Sequence, residues 1–371
     1  MEDSFRFADD LGPLKLVHLW RPAVGLKAIV AVDNVACGPA VGGVRMAPDV
    51  SAEEAFRLAR AMTLKNAAAG LPHGGGKSVI FADPKMPRSG KERLIRSFAT
   101  AIADLVDYIP GPDMGTDELA MGWIKDETGR AVGLPREVGG IPLDEIGATG
   151  FGLVAAIEVA ADRLEMALKG ARVAIQGFGS VGKHAARLLA EKGAVLVGAS
   201  DTQGTVADEQ GFDVAALIAL KEAGRAVSDY PGGRKLARDA IIDVSCDIWI
   251  PAARPDVIHA GNVHRLDTRL VAQGANIPCT AEAEAALAGR GVLVLPDFIA
   301  NAGGVICGAV EYAGGSEIDA FAAIGEKIRV NTAAVLDQMT QQGILPRAAA
   351  VALAKSRVER AMQTRRWDHV R

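Results

Sequence analysis

The sequence predicts an α/β protein with two domains, the second built on a mostly parallel, doubly wound sheet. Three observations lead to this prediction. The chain of 371 residues is long enough for two hydrophobic cores, short apolar runs alternate with helical patterns, and a glycine-rich loop near residue 177 lies between a strand and a helix. We expect one domain from residues 1–145 together with about 331–371, and the other from residues 146–330.

The composition excludes several classes of protein. Hydrophobic residues make up 49% and charged residues 23%, and the net charge of −4 includes no long basic run that would bind nucleic acid. No segment approaches the roughly 18 consecutive apolar residues of a membrane span, and the acidic N-terminus does not resemble a secretory signal. The cysteines form no CxxC pair, which predicts no metal site. We therefore expect a cytoplasmic protein that binds neither nucleic acid nor membranes.

The first predicted strand and helix lie in the N-terminal domain. An apolar run at residues 27–36 predicts a strand. Ser51 and Glu54 form a capping-box pattern, in which each side chain satisfies a free backbone N–H group at the start of a helix. Apolar residues follow at helical spacing, and Gly70 with Pro72 ends the predicted helix.

The pattern then repeats. Residues 78–81 predict a second strand, and a second capping-box pattern, Ser89 to Glu92, predicts the start of a second helix. Residues 109–118 are rich in proline and glycine, so we expect a turn there.

A regular alternation of strands and helices predicts the second domain. Helices are expected at about residues 151–166 and 180–192, and the strands at 171–176, 194–200, 247–252, 270–275 and 292–297. Two further helical patterns follow from about Ser316, and Pro346 suits the first turn of the last helix. This rhythm is typical of a parallel sheet with helices on both faces.

The glycine-rich loop predicts a dinucleotide site of the Rossmann type. Gly177, Gly179 and Gly182 follow a strand and open a helix, with Ser180 and Val181 between them. Such glycines allow a tight turn and a close approach to a pyrophosphate, which the free N–H groups of the helix N-terminus attract. The alternative is a glycine-rich turn without a ligand.

One acidic residue favours NAD as the dinucleotide over NADP. Asp201 follows the second strand of the domain, where a carboxylate can bind a ribose hydroxyl, and residues 200–203 include no arginine or lysine to bind a 2′-phosphate. The alternative is that Asp201 is only a turn residue before Gly204.

Two lysines and an aspartate are the candidate catalytic groups. Lys65 lies near a helix end, Lys77 follows a run of glycines, and Asp113 lies in a loop stiffened by prolines. Burial and a neighbouring cation lower the pKa of a lysine toward the value that a general base requires. Spacing alone leaves other interpretations open, because a lysine at a helix end also favours the helix dipole and an aspartate is common in turns.

From about residue 25 to 330 the sequence resembles the glutamate/leucine/phenylalanine/valine dehydrogenase family. The similarity lies in the segments GPAVGGVRM (38–46), MTLKNAAAGLPHGGGKS (62–78), GPDMGT (111–116), ATGFG (148–152), GFGSVG (177–182), QGAN (273–276) and PDFIANAGGV (296–305). The resemblance implies a two-domain fold, a nicotinamide cofactor and a homo-oligomer. It also implies that C-terminal helices return to the N-terminal domain, which binds the substrate and forms the oligomer.

The resemblance assigns a role to each candidate residue. Lys77 is the general base that activates water, Asp113 moves a proton to and from the substrate nitrogen, and Lys65 binds the α-carboxylate. The remaining assignments are the backbone of Gly42 and Gly43 for the α-carboxylate, Val41, Val305 and Gly308 for the substrate side chain, and Thr149, Ala275, Asn276 and Asn301 for the cofactor.

Two positions lead to the prediction of the substrate. Glutamate enzymes of the family resemble this chain but have a lysine in place of Val41 and a serine in place of Gly308, which bind the side-chain carboxylate. We therefore expect NAD-dependent, reversible oxidative deamination of an apolar, branched-chain or aromatic, L-amino acid to its 2-keto acid and ammonia. The alternatives are a glutamate dehydrogenase and a catalytically silent, NAD-binding regulatory paralogue. His73 is expected to be a spacer and Cys307 a core residue.

Overall fold

The computed structural model describes residues 5–364, which form two compact units. Within the described chain, the first unit contains residues 5–142, 305–320 and 351–364, and the second contains residues 143–304 and 321–350. The α/β fold class with two sheets is confirmed.

The first unit is built on a mixed, five-stranded sheet in the order β1-β2-β4-β3-β5. Its strands are β1 (Lys15–Arg21), β2 (Leu26–Asn34), β3 (Ala40–Ala47), β4 (Gly74–Phe81) and β5 (Tyr108–Pro112), and its helices are α1 (Ala52–Ala68), α2 (Arg88–Ala101) and α3 (Glu118–Thr128). β3 runs parallel to both β4 and β5, whereas β2 is antiparallel to β1 and β4. Side chains from α2 and α3, such as Phe98 and Met121, cover one face of the sheet, and Ala55 and Ala59 of α1 cover the other.

The prediction of a turn at residues 109–118 is wrong for its first half. Residues 108–112 form β5, which pairs with β3 so that Gly42 lies opposite Pro110 and Gly43 opposite Gly111. Proline cannot donate a hydrogen bond to a sheet, but β5 is an edge strand and needs a partner on one side only.

Helix α1 begins after Ser51 as predicted, but only half of the capping box forms because the Glu54 carboxylate contacts Arg45 instead, and α2 does not begin as predicted. The hydroxyl of Ser51 accepts a hydrogen bond from the backbone N–H of Glu54 at 3.1 Å. In α2 the expected capping box of Ser89 is not formed, since the helix already starts at Arg88 after Pro87, a residue whose side chain makes no capping hydrogen bond. The fixed φ of Pro87 favours that earlier start.

The second unit contains a seven-stranded sheet in the order β12-β11-β10-β6-β7-β8-β9. Its strands are β6 (Arg172–Gln176), β7 (Val195–Ser200), β8 (Thr205–Ala207), β9 (Arg234–Leu236), β10 (Ile248–Pro251), β11 (Leu270–Ala272) and β12 (Leu293–Leu295). The strands from β12 to β7 are parallel, as predicted, and β8 and β9 add an antiparallel edge. Its helices are α4 (Ala148–Arg163), α5 (Ser180–Glu191), α6 (Val214–Glu222), α7 (Ala281–Gly289) and α8 (Asp297–Ala300). The buried side chain of Trp249 lies in the core of this unit.

The last three helices are divided between the units differently from the prediction. They are α9 (Gly303–Tyr312), α10 (Glu317–Gln342) and α11 (Pro346–Thr364). Residues 305–320 group with the first unit and residues 321–350 with the second, whereas the sequence led us to expect a single return at about residue 331. Packing explains why residues 321–350 belong to the second unit, because Ile324 and Ile328 of α10 lie against Gly152 of α4. A Cβ atom added to Gly152 would lie only 2.4 Å from Ile328 Cδ1.

Candidate active site

One face of β3 lies beside the predicted catalytic groups. Residues alternate along a strand, so Val41, Gly43 and Arg45 share a face. A Cβ atom added to Gly43 would lie 2.9 Å from Asp113 Oδ2 and 3.0 Å from Lys77 Nζ. Glycine at this position therefore leaves room for both side chains.

Lys77 and Asp113 form an ion pair in the first unit. Lys77 lies within β4 and Asp113 follows β5, and the ammonium contacts Asp113 Oδ2. The Asp113 backbone N–H donates to the Thr116 hydroxyl at 3.0 Å, and that hydroxyl donates to the carbonyl of Val44 at 2.7 Å. The loop that carries Asp113 is thus attached to β3, which fixes the carboxylate against the lysine.

Burial sets the proton affinity of Lys77, which is 6% exposed. Burial is the largest cause of the lowered pKa of Lys77, the positive charges of Arg45 and Lys65 add to it and Glu54 opposes them, and together they bring the pKa to about 7. The carboxylate of Asp113 also favours the charged amine, so the two groups titrate together. We take the net direction to be a lowered pKa, because the desolvation of a nearly enclosed ammonium outweighs its single contact with the more exposed Asp113. A lysine of this kind can act as a base near neutral pH.

Arg45 is a charged member of the site that the sequence analysis did not identify. Its guanidinium lies 2.6 Å from Glu54 Oε1 and 3.3 Å from Asp113 Oδ1. The signal in the sequence was available, since alternation along β3 places Arg45 on the same face as Gly43. Arg45 holds the second oxygen of Asp113 and adds a fixed positive charge to the site.

Tyr108 is a second residue that the sequence analysis missed. Its buried hydroxyl donates to the carbonyl of Gly42 at 2.9 Å, so the Ser78 hydroxyl, also at 2.9 Å, is the donor to Tyr108. Burial raises the pKa of Tyr108 and keeps the phenol protonated. This contact orients the backbone of Gly42, which was predicted to lie beside the α-carboxylate.

Lys65 lies in the last turn of α1, close enough for its charge to act on the pKa of Lys77. Arg357 of α11 donates to the carbonyls of Ala67 at 3.0 Å and Ala68 at 2.6 Å. Asn66 donates its amide to the carbonyl of Gly74 at 2.7 Å. The helix end that carries Lys65 is therefore attached to both a strand and a helix of its unit.

The residues predicted to contact the substrate side chain lie on two elements of the first unit. Val41 is half-buried on β3, and Val305 and Gly308 lie on α9. A Cβ atom on Gly308 would lie 3.7 Å from Val132 Cβ, which is an ordinary contact. An alanine at position 308 would thus fit without displacing Val132.

His73 and Cys307 are both buried. His73 Nδ1 lies 3.3 Å from the carbonyl of Pro39, and its ring meets that of Tyr312 edge to face. Burial lowers the pKa of His73 and raises the pKa of Cys307 to about 12. The imidazole is therefore uncharged at neutral pH and the thiol is protonated.

The glycine loop in the second unit has the shape that a pyrophosphate requires. Gly177 has a φ of +95°, which favours glycine, and a Cβ atom on Gly182 would lie 2.2 Å from the carbonyl oxygen of Gly177. A Cβ atom on Gly179 would meet nothing within 4 Å. α5 starts at Ser180 with no side chain capping its N-terminus, so its N–H groups are available to an anion, and Val181 lies in the same turn.

Asp201 follows β7, and its carboxylate accepts hydrogen bonds from other residues of the second unit. Its Oδ2 accepts from Lys221 Nζ at 2.6 Å and from the Val227 N–H at 2.9 Å, and its Oδ1 accepts from the Gln203 N–H at 2.9 Å. Burial acts to raise the pKa of Asp201, but these hydrogen bonds outweigh it and the pKa is lowered. The sequence did not reveal Lys221, because it lies in α6, twenty residues along the chain.

The other predicted cofactor residues lie close together. The Asn301 amide donates to Asn276 Oδ1 at 3.0 Å and to the carbonyl of Ala275 at 3.2 Å. Thr149 lies in the first turn of α4, where its hydroxyl is 3.3 Å from the Cβ position of Gly304. The structure thus brings Thr149 and the Asn276–Asn301 pair to neighbouring parts of the second unit.

Residues 5–364 contain neither a candidate metal-binding group nor a candidate membrane-spanning helix. In that range no group of histidine, cysteine and acidic side chains is arranged to hold a metal ion. None of the described helices is both long and apolar enough to cross a bilayer.

Comparison with known families decides the identity. Residues 139–366 match the family described as Glutamate/Leucine/Phenylalanine/Valine dehydrogenase, and residues 18–130 match the Glu/Leu/Phe/Val dehydrogenase, dimerisation domain. The chain belongs to this family. The protein is therefore an amino-acid dehydrogenase that acts on CH–NH2 donors with a nicotinamide cofactor, and its second unit is of the Rossmann type.

The similarity of this amino-acid dehydrogenase to individual relatives covers nearly its whole chain. The chain is 38% identical to a glutamate dehydrogenase of Aeropyrum pernix, over 90% of this chain and 85% of that protein. It is 37% identical to an NADP-specific glutamate dehydrogenase of Saccharolobus shibatae over 95% of this chain and 86% of that protein. The crystal structure of the Leu-bound, hetero-hexameric glutamate dehydrogenase of Thermus thermophilus superposes with a TM-score of 0.83 at 30% identity, covering 97% of this chain and 91% of that one.

These relatives correct the predicted substrate. The expectation of an apolar amino acid is wrong, since curated relatives that match most of their own length are glutamate dehydrogenases. The expectation depended on Val41 and Gly308 alone. It assumed that a second carboxylate must be bound from those two positions, and it took no account of other cations such as Arg45.

Proposed function

We propose that the protein is a glutamate dehydrogenase, which converts L-glutamate and water reversibly into 2-oxoglutarate and ammonia. The observation that carries this proposal is the Lys77–Asp113 pair beside Gly43. It is supported by similarity over most of the chain to a glutamate dehydrogenase. A bound nicotinamide would supply the acceptor for the hydride that leaves the substrate Cα.

Each catalytic or substrate-binding residue of the first unit has a separate role in this proposal. The Lys65 ammonium pairs with the α-carboxylate, assisted by the backbone of Gly42 and Gly43. Asp113 accepts a proton from the substrate nitrogen before hydride transfer. The uncharged amine of Lys77 then removes a proton from the water that attacks the imino carbon, and Asp113 returns a proton to the departing ammonia.

The charges around the site support a dianionic substrate. Arg45 and Lys65 both act on Lys77 through their positive charge. Glutamate has two carboxylates, and a desolvated carboxylate without a cation is costly. Val41 and Gly308 carry no charge, and Arg45 already pairs with Glu54 and Asp113, so we expect Arg45 to bind the second carboxylate only by exchanging one of these contacts.

We propose NAD as the cofactor, with Gly177, Gly179, Ser180, Val181 and Gly182 around the pyrophosphate. Thr149, Ala275, Asn276 and Asn301 are proposed to contact the nicotinamide end, and Asp201 the ribose. Lys221 already forms an ion pair with the Asp201 carboxylate at 2.6 Å, so we do not expect it to bind a 2′-phosphate. The match to a dimerisation domain supports a homo-oligomer as the working form.

Initial rates of reduced-nicotinamide formation test the proposed function. The purified protein is assayed with glutamate, leucine, valine, phenylalanine and tryptophan, each with NAD and with NADP. We expect the highest kcat/KM with glutamate and NAD. A higher value with any apolar amino acid would overturn the glutamate proposal, and binding of NADH without turnover of any substrate would indicate the silent paralogue.

Replacing Val41 by lysine is expected to shift the specificity further toward glutamate. One new charge-assisted contact to the side-chain carboxylate corresponds to about a tenfold rise in the glutamate-to-leucine ratio of kcat/KM. Val41→Ile is the matched control, since it keeps the position apolar. A ratio that Val41→Lys leaves unchanged would show that this position does not line the side-chain pocket.

A further inference from the structure

The segment 273–277 of the second unit, here called the asparagine loop, contains a strained backbone. Ile277 has a φ of +48°, in the left-handed region that β-branched residues rarely adopt. It also precedes Pro278, and a residue before proline favours an extended conformation instead. Since strain of this kind persists only where surrounding contacts impose it, something must hold Ile277 in place.

Asp297 holds the strained residue. Its Oδ2 accepts a hydrogen bond from the Ile277 N–H at 2.8 Å, and the Ile277 carbonyl accepts one from the Asp256 N–H at 3.0 Å. The Ile277 side chain is 56% exposed, so apolar packing contributes little to fixing it. The conformation therefore depends on these backbone hydrogen bonds.

Arg347, in the first turn of α11, contacts the start of the asparagine loop directly and its end through Asp297. Its Nη2 donates to Gln273 Oε1 at 3.0 Å, at the start of the loop. Its Nη1 forms an ion pair with Asp297 Oδ1 at 2.9 Å, and Asp297 holds the end of the loop. One planar guanidinium thus spans the segment.

A buried carboxylate fixes the guanidinium itself. Arg347 Nε donates to both oxygens of Glu284, at 2.9 and 2.8 Å, and Gln273 also donates to Glu284 at 2.7 Å. The side chains of Glu284 and Asp297 are each 6% exposed. Such charge-assisted, forked contacts are geometrically specific, so the position of Arg347 leaves little freedom to Gln273 and Asp297.

Between the two anchored ends lies Asn276, whose Oδ1 accepts from the Asn301 amide at 3.0 Å. A relaxation of Ile277 to an extended conformation would rotate the peptide that joins it to Asn276. The Asn276 side chain would then leave Asn301. The orientation of both amides therefore depends on the contacts made by Arg347.

We propose that Arg347 is a positioning residue for the dinucleotide site, which acts through Gln273 and Asp297 to hold the asparagine loop. The inference rests on the proposed role of Asn276 and Asn301 in cofactor binding. Arg347 touches neither substrate nor cofactor in this account. Its effect is to keep the two amides arranged before the cofactor arrives, which reduces the ordering that binding requires.

Arg347→Lys tests the inference, because lysine keeps the charge but cannot span Gln273, Glu284 and Asp297 with one planar group. The dissociation constant for NADH is measured by fluorescence in the absence of amino acid. We expect it to rise about tenfold in Arg347→Lys. Arg329→Lys is the matched control, since Arg329 pairs with Glu158 between α10 and α4 of the same unit, and we expect a change below about twofold there.

Ile277→Gly supplies a second, independent readout. Glycine adopts a positive φ without strain, so it makes the loop less dependent on Arg347. We expect the double variant Arg347→Lys/Ile277→Gly to bind NADH within about threefold of Ile277→Gly alone. A merely structural role of Arg347 would give no such recovery, because glycine in a loop adds flexibility to the unfolded chain.

The outcomes separate the inference from the proposed function. An unchanged dissociation constant in Arg347→Lys, an equal loss in Arg329→Lys, or an undiminished loss in the double variant would each overturn the positioning role. These ratios are read without substrate, so an absence of glutamate turnover in the wild-type protein would overturn the proposed function alone. A wild-type protein that binds no NADH would overturn the cofactor site and the inference together.

Discussion

Replacing Lys77 by alanine is expected to lower kcat for glutamate oxidation by about a thousandfold, the size of effect typical for loss of a positioned general base. The amine is 6% exposed, contacts Asp113, and has its pKa lowered by burial to about 7. Alanine removes this amine, so the attacking water loses the proposed proton acceptor. The dissociation constant for NADH should change by less than about twofold, since the glycine loop belongs to the other unit.

Lys15→Ala is the matched control for this experiment. Lys15 also forms a lysine–aspartate pair in the first unit, with Asp107 at 2.5 Å, but it lies on the edge strand β1 away from Gly43. We expect its kcat to stay within about twofold of the wild type. Loss of NADH binding in Lys77→Ala, or turnover as high as that of Lys15→Ala, would mean that Lys77 is not the base.

Gly42→Ala is expected to have the largest effect on stability. An added Cβ atom would lie 1.5 Å from the carbonyl oxygen of Gly76 and 2.3 Å from its carbonyl carbon. The strand β4 cannot retreat, because a Cβ atom on Gly75 would already lie 2.0 Å from the backbone nitrogen of Thr63 in α1. We expect a loss above about 4 kcal/mol, which corresponds to a fall in Tm of about 10 °C or more.

The control for this glycine is Gly289→Ala, at the end of α7, where an added Cβ atom would meet nothing within 4 Å. Alanine favours a helix over glycine, so we expect an unchanged or slightly raised Tm. Thermal unfolding followed by circular dichroism compares the two variants. A Tm of Gly42→Ala within a few degrees of the Gly289→Ala value would contradict the close approach of β3 and β4.

Local signals in the sequence predicted local structure well. The N-terminus of α1 depends on a hydrogen bond between Ser51 and Glu54, three residues apart, and was predicted correctly. β5 was missed because Pro110 and Pro112 are typical of turns, and only its place at the edge of a sheet makes them acceptable. That place depends on pairing with β3, which no local pattern reveals.

The catalytic pair shows the same limit. Lys77 and Asp113 lie thirty-six positions apart and meet only because β4 and β5 both pair with β3. Their roles were inferred from the family resemblance, not from spacing. Contacts that are not local, such as Arg45 with Asp113 or Lys221 with Asp201, stayed hidden although alternation along β3 placed Arg45 on the right face.

The substrate prediction failed for a related reason. The preference for an apolar substrate rested on Val41 and Gly308 alone, and a glutamate dehydrogenase was kept only as the alternative. Binding free energy depends on all the charges around a site, and Arg45 was not among those considered. Similarity over a whole sequence reflects many more positions than two pocket residues, and the relatives that match over most of their length are glutamate dehydrogenases.

The pH dependence of kcat/KM for glutamate oxidation shows whether Lys77 loses its proton near neutral pH and can then act as the general base. Below its pKa the amine is protonated and cannot accept a proton, so the rate should rise with pH. We expect a rising limb with an apparent pKa near 7, shared with Asp113 as a coupled pair. A rising limb near 10.5, the ordinary value for lysine, or a rate that does not rise with pH in this range, would contradict it.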